Sequence, residues 1–172
     1  DVDSINDFYQ VFSTNMHVLG SPTHSRKWFE TLLKYYGNQL VVGRVWKENK
    51  VVGAGIILIS GDRVSIPWAS TLRDYNRLAP NMLLYWNLLR ISIERGGKVF
   101  DFGRSTYQKG TYKFKKQWGA QPVLLDWKHL NKSGVIVGQS TSSSSKLRNL
   151  VESVWKKMPL AFANFILSLI HI

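Results

Sequence analysis

Three runs rich in β-branched residues lie almost end to end between Gln39 and Thr71, and they limit the fold more than any other feature of the chain. Gln39–Lys47, Val51–Ser60 and Arg63–Thr71 are separated only by short links around Glu48-Asn49 and Gly61-Asp62, which suit hairpin turns. The three runs therefore read as an antiparallel meander. Gly53 and Gly55 inside the second run mark a bulge or a close approach by a neighbouring element.

The flanks have a different period. Ile5, Phe8, Tyr9, Phe12 and Met16 recur at helical spacing behind Ser4, an N-cap residue, and Gly20 ends that helix. Ser25 caps a second helix that carries Trp28, Phe29, Leu32, Leu33 and Tyr36 and stops at Gly37. Beyond the meander and a loop from Leu72 to Ala79, Pro80 takes a first helical position and the longest helix runs to Gly96-Gly97. Lys98–Gly103 reads as a buried strand, Thr111–Trp118 as a short helix and Pro122–His129 as a last strand. The tract GQSTSSSSK, 138–146, is a low-complexity linker, followed by an amphipathic helix, Pro159 and a final apolar helix, LAFANFILSLI. The expected organisation is a domain over 1–130, a serine-rich linker over 131–145 and a helical appendage over 146–172.

A chain of 172 residues with 44% hydrophobic side chains and seven tryptophans can bury a real core, which excludes a disordered chain. The absence of cysteine excludes disulfides and thiolate chemistry. His17, His24, His129 and His171 show no metal-ligand spacing, so no metal site is expected. The opening DVDSIND is acidic and polar and does not read as a secretory leader. The apolar run Met158–Ile172 falls short of the roughly 20 residues of a bilayer span and reads as a docking or interfacial helix. The expected location is the cytoplasm, peripheral to the inner membrane at most.

Charge is unevenly distributed. Residues 1–95 carry 11 basic and 8 acidic side chains, whereas residues 96–172 carry 12 basic and 3 acidic, so +9 of the formal +12 lies in the second part. That asymmetry fits either a polyanionic partner or a charge that keeps the protein soluble. The basic residues crowd into DFGRSTYQKGTYKFKKQWGA, Asp101–Ala120. Arg104 and Ser105 emerge at the carboxyl end of the 98–103 strand, where open α/β sheets bind ligands. Asp101 alternates with Phe100 and Phe102, which puts the carboxylate and the two rings on opposite faces. On the following helix Phe114 and Trp118 share a face, and Lys113, Lys115 and Lys116 repel one another unless water or an anion screens them. Trp68 and Ser70 end the third meander strand, either as a ligand wall or as core.

The order of these elements is that of the GNAT acyltransferase fold, a mixed, mostly antiparallel sheet flanked by helices whose central strands splay to admit the acyl donor. Pro67–Trp86 and Asp101–Ala120, with the pairing DFGRST…GTYKFKKQWGA, resemble the FemAB-like proteins, GNAT-fold relatives of the peptidoglycan aminoacyl transferases. The closest likeness is to the branch associated with exopolysaccharide and protein-sorting systems, over about residues 8–130. Such relatives carry two GNAT-like domains in tandem, so the resemblance implies that this chain corresponds to the C-terminal one. Its partner is then a preceding GNAT-like domain or a second copy. It further implies transfer of an acyl or aminoacyl group, from acyl-CoA or aminoacyl-tRNA, to an amine or hydroxyl of a glycan-linked or other anionic acceptor.

By the same resemblance the family's Phe-Lys pair falls on Phe114-Lys115, with Lys115 stabilising the oxyanion, Arg104 holding a phosphate and Tyr112 serving as proton donor. Substrate-binding roles extend to Ser105, Asn81, Ser70, Trp68, Lys113 and Lys116. Pro80-Asn81 matches the family's helix start, whose free N–H groups can hold an anion. One departure stands out. GNAT enzymes that use acetyl-CoA wrap its pyrophosphate with a glycine-rich loop, and Leu72–Asn81 contains no glycine. Two other readings follow: an acetyl-CoA-dependent N-acetyltransferase, and a non-catalytic half that recognises RNA or a polyanion.

Overall fold

The computed structural model of the protein describes residues 1–130, 134, 136–137 and 153–170. These fall into two compact units: Asp1–Gly103 with the described residues from 153 onward, and the described residues from Arg104 to 137. Most of the expected serine-rich tract, including all of 138–146, lies outside the described residues.

The first unit is a layered sandwich. Helices α1 (Val2–Leu19) and α2 (Arg26–Tyr36) precede strands β1 (Leu40–Lys47), β2 (Lys50–Ser60) and β3 (Arg63–Thr71), then helix α3 (Pro80–Glu94) and strand β4 (Val99–Asp101). The sheet order is β1-β2-β3-β4, antiparallel throughout the meander and parallel between β3 and β4. The meander expectation holds with its three strands nearly at their expected limits. β2 is central and buried from Val51 to Ile57, so its two faces feed two cores. One core joins Ile5, Phe8, Phe12, Phe29, Ala54 and Ile56 beneath α1 and α2. The other joins Val52, Ile57, Val64, Ile66, Leu84 and Leu88 beneath α3.

Two local details build the shape. At β1–β2 the register passes from Val45↔Gly53 to Trp46↔Val51, which leaves Val52 as an extra residue. The bulge expected near Gly53 is thus at its neighbour, and Gly53 and Gly55 serve close packing. A Cβ on Gly55 would lie 3.2 Å from the Trp68 carbonyl oxygen and 3.4 Å from Leu84. At β2–β3 the register passes from Ile56↔Trp68 to Leu58↔Ser65, so Ile57 faces both Ile66 and Pro67. Pro67 has no N–H to donate, and a bulge is where a sheet accepts one. β3 turns there. Among the described residues β4 pairs only with Arg63, Val64 and Ser65, and from Ile66 to Thr71 β3 has no sheet partner on that side. The sheet is open there, at the place where the fold is expected to splay.

Three expectations require correction. The cap of α1 is Asp1, not Ser4: the Asp1 carboxylate accepts from Ser4 N–H at 2.7 Å, and the Ser4 hydroxyl reaches back to the Asp1 carbonyl. Strand β4 is short and open, with Val99 43% exposed, because it is the edge of the sheet among the described residues. Residues 121–128 form no strand. Their apolar side chains Val123, Leu124, Leu125 and Trp127 are exposed, and the only pairing described there is the ladder of β5 (His129–Leu130) with β6 (Ile136–Val137). Phe114 is partly buried on the face it shares with Trp118, in line with the mostly buried ring expected.

The apolar C-terminal helix forms as α5 (Leu160–Ile170). It lies against α1, where the Met158 carbonyl meets His17 Nε2 at 2.7 Å and Ala163 and Leu167 are buried. No helix among the described residues is long and apolar enough to cross a membrane.

Candidate functional site

In the first unit the open edge of β3 leads into the connection to α3. Arg73–Leu78 winds as a 3-10 helix, and Ala79 takes a left-handed conformation (φ 50°) before Pro80 begins α3. The loop uses its own amides. Tyr75 N–H donates to the Leu72 carbonyl at 3.1 Å, and Ala79 N–H to the Asn76 carbonyl at 3.0 Å. No side chain caps α3, and its first residue is proline, so its remaining early N–H groups carry the positive end of the helix dipole. Asn81 sits half-buried at that end. Arg73 and Arg77 are exposed on the loop, and Lys50 lies 5.3 Å from the Tyr75 ring centre.

An acyl-CoA donor would need its pyrophosphate held here. A cradle of loop amides does not fit, because two of the amides are turned inward by the 3-10 bonds and no glycine lets a phosphate approach the backbone. Cationic side chains and the start of α3 are what the connection offers an anion.

Behind the splay, Tyr85 of α3 stacks on Phe102 at 5.9 Å and 3°, and Phe102 meets Phe100 edge-on at 4.9 Å. The two phenylalanines share a face, as their alternation with Asp101 predicts. Burial pushes the Tyr85 phenol above its ordinary pKa. Asp101 itself is exposed, and its carboxylate accepts from Gly103 N–H at 2.7 Å. Trp68 and Ser70 point toward α1 and α2. Trp68 packs edge-on against Trp28 and Phe29 at 5.2 and 5.3 Å, and buried Ser70 accepts from Asn15 at 3.2 Å. Both therefore occupy packing positions.

The second unit gathers the basic residues. Helix α4 (Gly110–Gln117) carries Lys115, whose ammonium donates to the Arg104 carbonyl at 2.8 Å. That bond fixes a flexible side chain at one place. Arg104 is exposed and lays its guanidinium over Trp127, 5.6 Å from the ring centre. Tyr112 meets Tyr107 edge-on at 5.0 Å, and Phe114 meets Trp118 at 6.3 Å. Ser105, Lys113 and Lys116 are exposed. Thus Lys115, Arg104, Tyr112, Phe114, Lys113, Lys116 and Ser105 belong to one unit, and Asn81, Trp68 and Ser70 to the other.

Sequence reasoning did not single out Trp127 or Tyr107, the rings that meet Arg104 and Tyr112. The signal for Trp127 was hidden by the expectation of a strand. A helix-and-turn reading of Tyr107-x4-Tyr112 gave no reason to pair two rings across the turn before α4.

The same architecture occurs in solved acetyltransferases. The ribosomal-protein-S18-alanine N-acetyltransferase of Escherichia coli superposes with a TM-score of 0.60 at 14% identity, over 77% of this chain and 81% of that one. An aminoglycoside acetyltransferase, meta-AAC0020, from an uncultured soil metagenomic sample gives 0.61 at 14% identity, over 77% and 91%. A ribosomal-protein-alanine N-acetyltransferase of Brucella melitensis gives 0.57 at 10% identity, over 73% and 92%. At such identities these likenesses establish the fold. No curated protein matches the chain in sequence. The acetyltransferase (GNAT) domain family matches residues 1–116, from α1 through the four-stranded sheet and nearly all of α4, and the chain belongs to that family, whose chemistry is acyl transfer.

Proposed function

We propose that the protein is an acyltransferase of FemAB type, moving an acyl or aminoacyl group from an ester donor to an amine or hydroxyl on a glycan-linked acceptor. The observation that carries this reading over an acetyl-CoA enzyme is the β3–α3 connection. A glycine-free 3-10 helix with its amides turned inward is a poor seat for a CoA pyrophosphate, while exposed Arg73 and Arg77 suit the spaced phosphates of an RNA end.

The second unit supports the chemistry by its own geometry. In aminolysis of an ester, the acceptor nitrogen bonds to the donor carbonyl carbon, the C–O bond to the leaving ribose breaks, and a proton moves from nitrogen to the departing oxygen. The Lys115 ammonium, held by the Arg104 carbonyl, supplies the positive charge that the carbonyl oxygen needs in the transition state. Tyr112 is the proton donor to the leaving oxygen, its phenol O–H passing a proton to that oxygen and regaining one from the acceptor nitrogen. Arg104 holds a phosphate, with Trp127 fixing its guanidinium plane. The preceding GNAT-like domain implied by the tandem resemblance completes the acceptor site.

Calorimetry with CoA and with an aminoacyl-RNA minihelix tests the reading. The expected dissociation constant for CoA is about 1 mM or weaker, a binding free energy of only about 4 kcal/mol. The minihelix is expected to bind more tightly, with affinity that falls steeply with salt and a shallower slope in Lys113→Ala and Lys116→Ala. Micromolar CoA binding with no RNA binding would replace this reading with the acetyl-CoA N-acetyltransferase. Salt-sensitive RNA binding without turnover in the tandem protein would leave a binding half.

A further inference from the structure

The outer surface of α1 faces away from the sheet and is unusually polar for a helix that another helix lies against. Asn6, Gln10, Ser13 and Thr14 recur at helical spacing along it. Opposite them α5 buries Ala163 and Leu167 and brings Asn164, Phe165 and Ser168 to the lining, with Phe165 more than half exposed. Between the two helices and the start of α2 lies an open pocket of about 580 Å³, within the size range of small-molecule sites.

Its lining is incompletely satisfied. The Asn6 side-chain carbonyl oxygen is buried and has no hydrogen-bond partner among the described residues. Ser13 lines the same wall and is only 3% exposed. An unsatisfied buried group such as the Asn6 oxygen is costly and is normally met by water or a ligand. Tyr9 contributes its hydroxyl, 3.5 Å from Asn164 Oδ1. Arg26 and Lys27, the first residues of α2, bring cations to the wall. Glu30 engages Arg26 through Nε at 3.1 Å and so orients its guanidinium. Burial raises the Tyr9 phenol above its ordinary pKa and Arg26 pulls it back, which places the guanidinium within electrostatic reach of that hydroxyl.

We infer that this pocket is a binding site for a hydroxylated ring compound carrying one anionic group, such as an acidic monosaccharide unit. Amides are at once donors and acceptors, as are hydroxyls, so Asn6, Gln10 and Asn164 match a polyol better than they match a bare anion. The half-exposed Phe165 ring gives the apolar face of a sugar a surface to stack on. Arg26 and Lys27 select the anion, whether carboxylate or phosphate. The site involves none of the groups assigned to acyl transfer, so it stands or falls independently of that proposal.

Equilibrium titration of the full chain, followed by saturation-transfer NMR, tests it with four probes: glucuronic acid, glucose 1-phosphate, glucose and inorganic phosphate. The two acidic sugars are expected to bind at least about tenfold more tightly than glucose, and more tightly than inorganic phosphate. The stronger of the two acidic sugars identifies the anionic group. Arg26→Gln, a change at a surface-exposed side chain, should remove the preference for the acidic sugars over glucose. Asn6→Leu should fill the pocket and abolish binding, with circular dichroism as the check on folding. Saturation by none of the four at about 10 mM would overturn the inference. So would inorganic phosphate competing as well as the sugars, or acidic-sugar affinity unchanged in Arg26→Gln.

Discussion

Phe29 and Phe114 sit on helices with the same apolar spacing, yet the protein uses them differently. Phe29, on α2, is fully buried, with the rings of Phe8, Trp28, Trp68 and Phe12 at 5.0 to 5.7 Å. Phe114, on α4, is half-buried and meets Trp118 at 6.3 Å. The difference is what lies beneath each helix. α2 rests on a four-stranded sheet with α1 beside it, so its stripe is covered from several directions. α4 has eight residues, in a unit whose only described strands are two residues long. Spacing tells which side chains share a face; only a second layer decides how deeply that face is buried. The shallow helix leaves Lys113 and Lys116 exposed, and the deep one builds the frame.

The largest effect that tests this contrast is Phe29→Ala. Removing a ring from the centre of an aromatic cluster should destabilise the protein by about 3–5 kcal/mol, a large part of a typical domain's stability. Urea unfolding followed by tryptophan fluorescence would read it, and a loss under about 1 kcal/mol would mean the cluster can collapse around the gap.

Lys115→Ala should do the converse. It is expected to fold as the parent does and to lower turnover by about 10²-fold, equivalent to about 2.7 kcal/mol of transition-state stabilisation, with substrate affinity little changed. Single-turnover kinetics with an aminoacyl ester donor is the measurement. Turnover equal to the parent's would remove Lys115 from the chemistry and leave α4 a structural helix with a charged outer face.

Much of the frame was legible because its signals are local. The turn residues between the meander strands, Pro80 at the start of α3 and the glycines after α2 and α3 each act within a few residues. What failed depended on partners. The 121–128 segment has the composition of a strand, but a strand exists only where another strand offers its N–H and C=O groups. Ser4 has the chemistry of a cap, but Asp1 stands three residues earlier and takes the role, a reciprocal pair in which each side chain bonds the other's backbone. Of the candidate site, the run from Arg104 to Lys116 was recognised from its motif, and the bond from Lys115 to the Arg104 carbonyl shows why its two ends belong together. The α1–α5 pocket was not legible: Asn6 and Asn164 are far apart in sequence, and the final helix reads as merely apolar until its register against α1 is known.

Gly97→Ala probes the frame at a third depth, with a smaller expected loss. An added Cβ would come within 2.8 Å of both the Ser92 carbonyl oxygen and Val64 Cγ2, where α3 closes onto β3. Gly97 N–H already donates to that carbonyl at 2.8 Å, so the backbone cannot retreat without losing the bond. Overpacking of this kind costs about 1–3 kcal/mol. Gly61→Ala makes a useful contrast, since nothing lies within 4 Å of its Cβ position and its left-handed backbone (φ 60°) is the sole source of strain. Thermal unfolding of the two variants separates crowding from conformational strain.

The smallest effect is Phe114→Ala, and it sharpens the opening contrast most directly. A side chain less than fully buried has less apolar area to lose, and a short helix in a small unit can settle around the gap. The expected loss is about 1–2 kcal/mol, well below that of Phe29→Ala, because both the transfer and the cavity contributions shrink with burial. The change should also be felt locally. Hydrogen exchange should quicken at the α4 amides, such as the Lys113 N–H that bonds the Lys109 carbonyl, while the β2 amides keep their protection. Since Phe114 and Trp118 pack on the helix that carries Lys115, turnover should fall modestly through a less well-held ammonium, and by less than in Lys115→Ala. A loss of 3 kcal/mol or more, with β2 exchanging as fast as α4, would show that Phe114 belongs to the same cooperative core as Phe29. The distinction between a deep frame and a shallow basic helix would then fail.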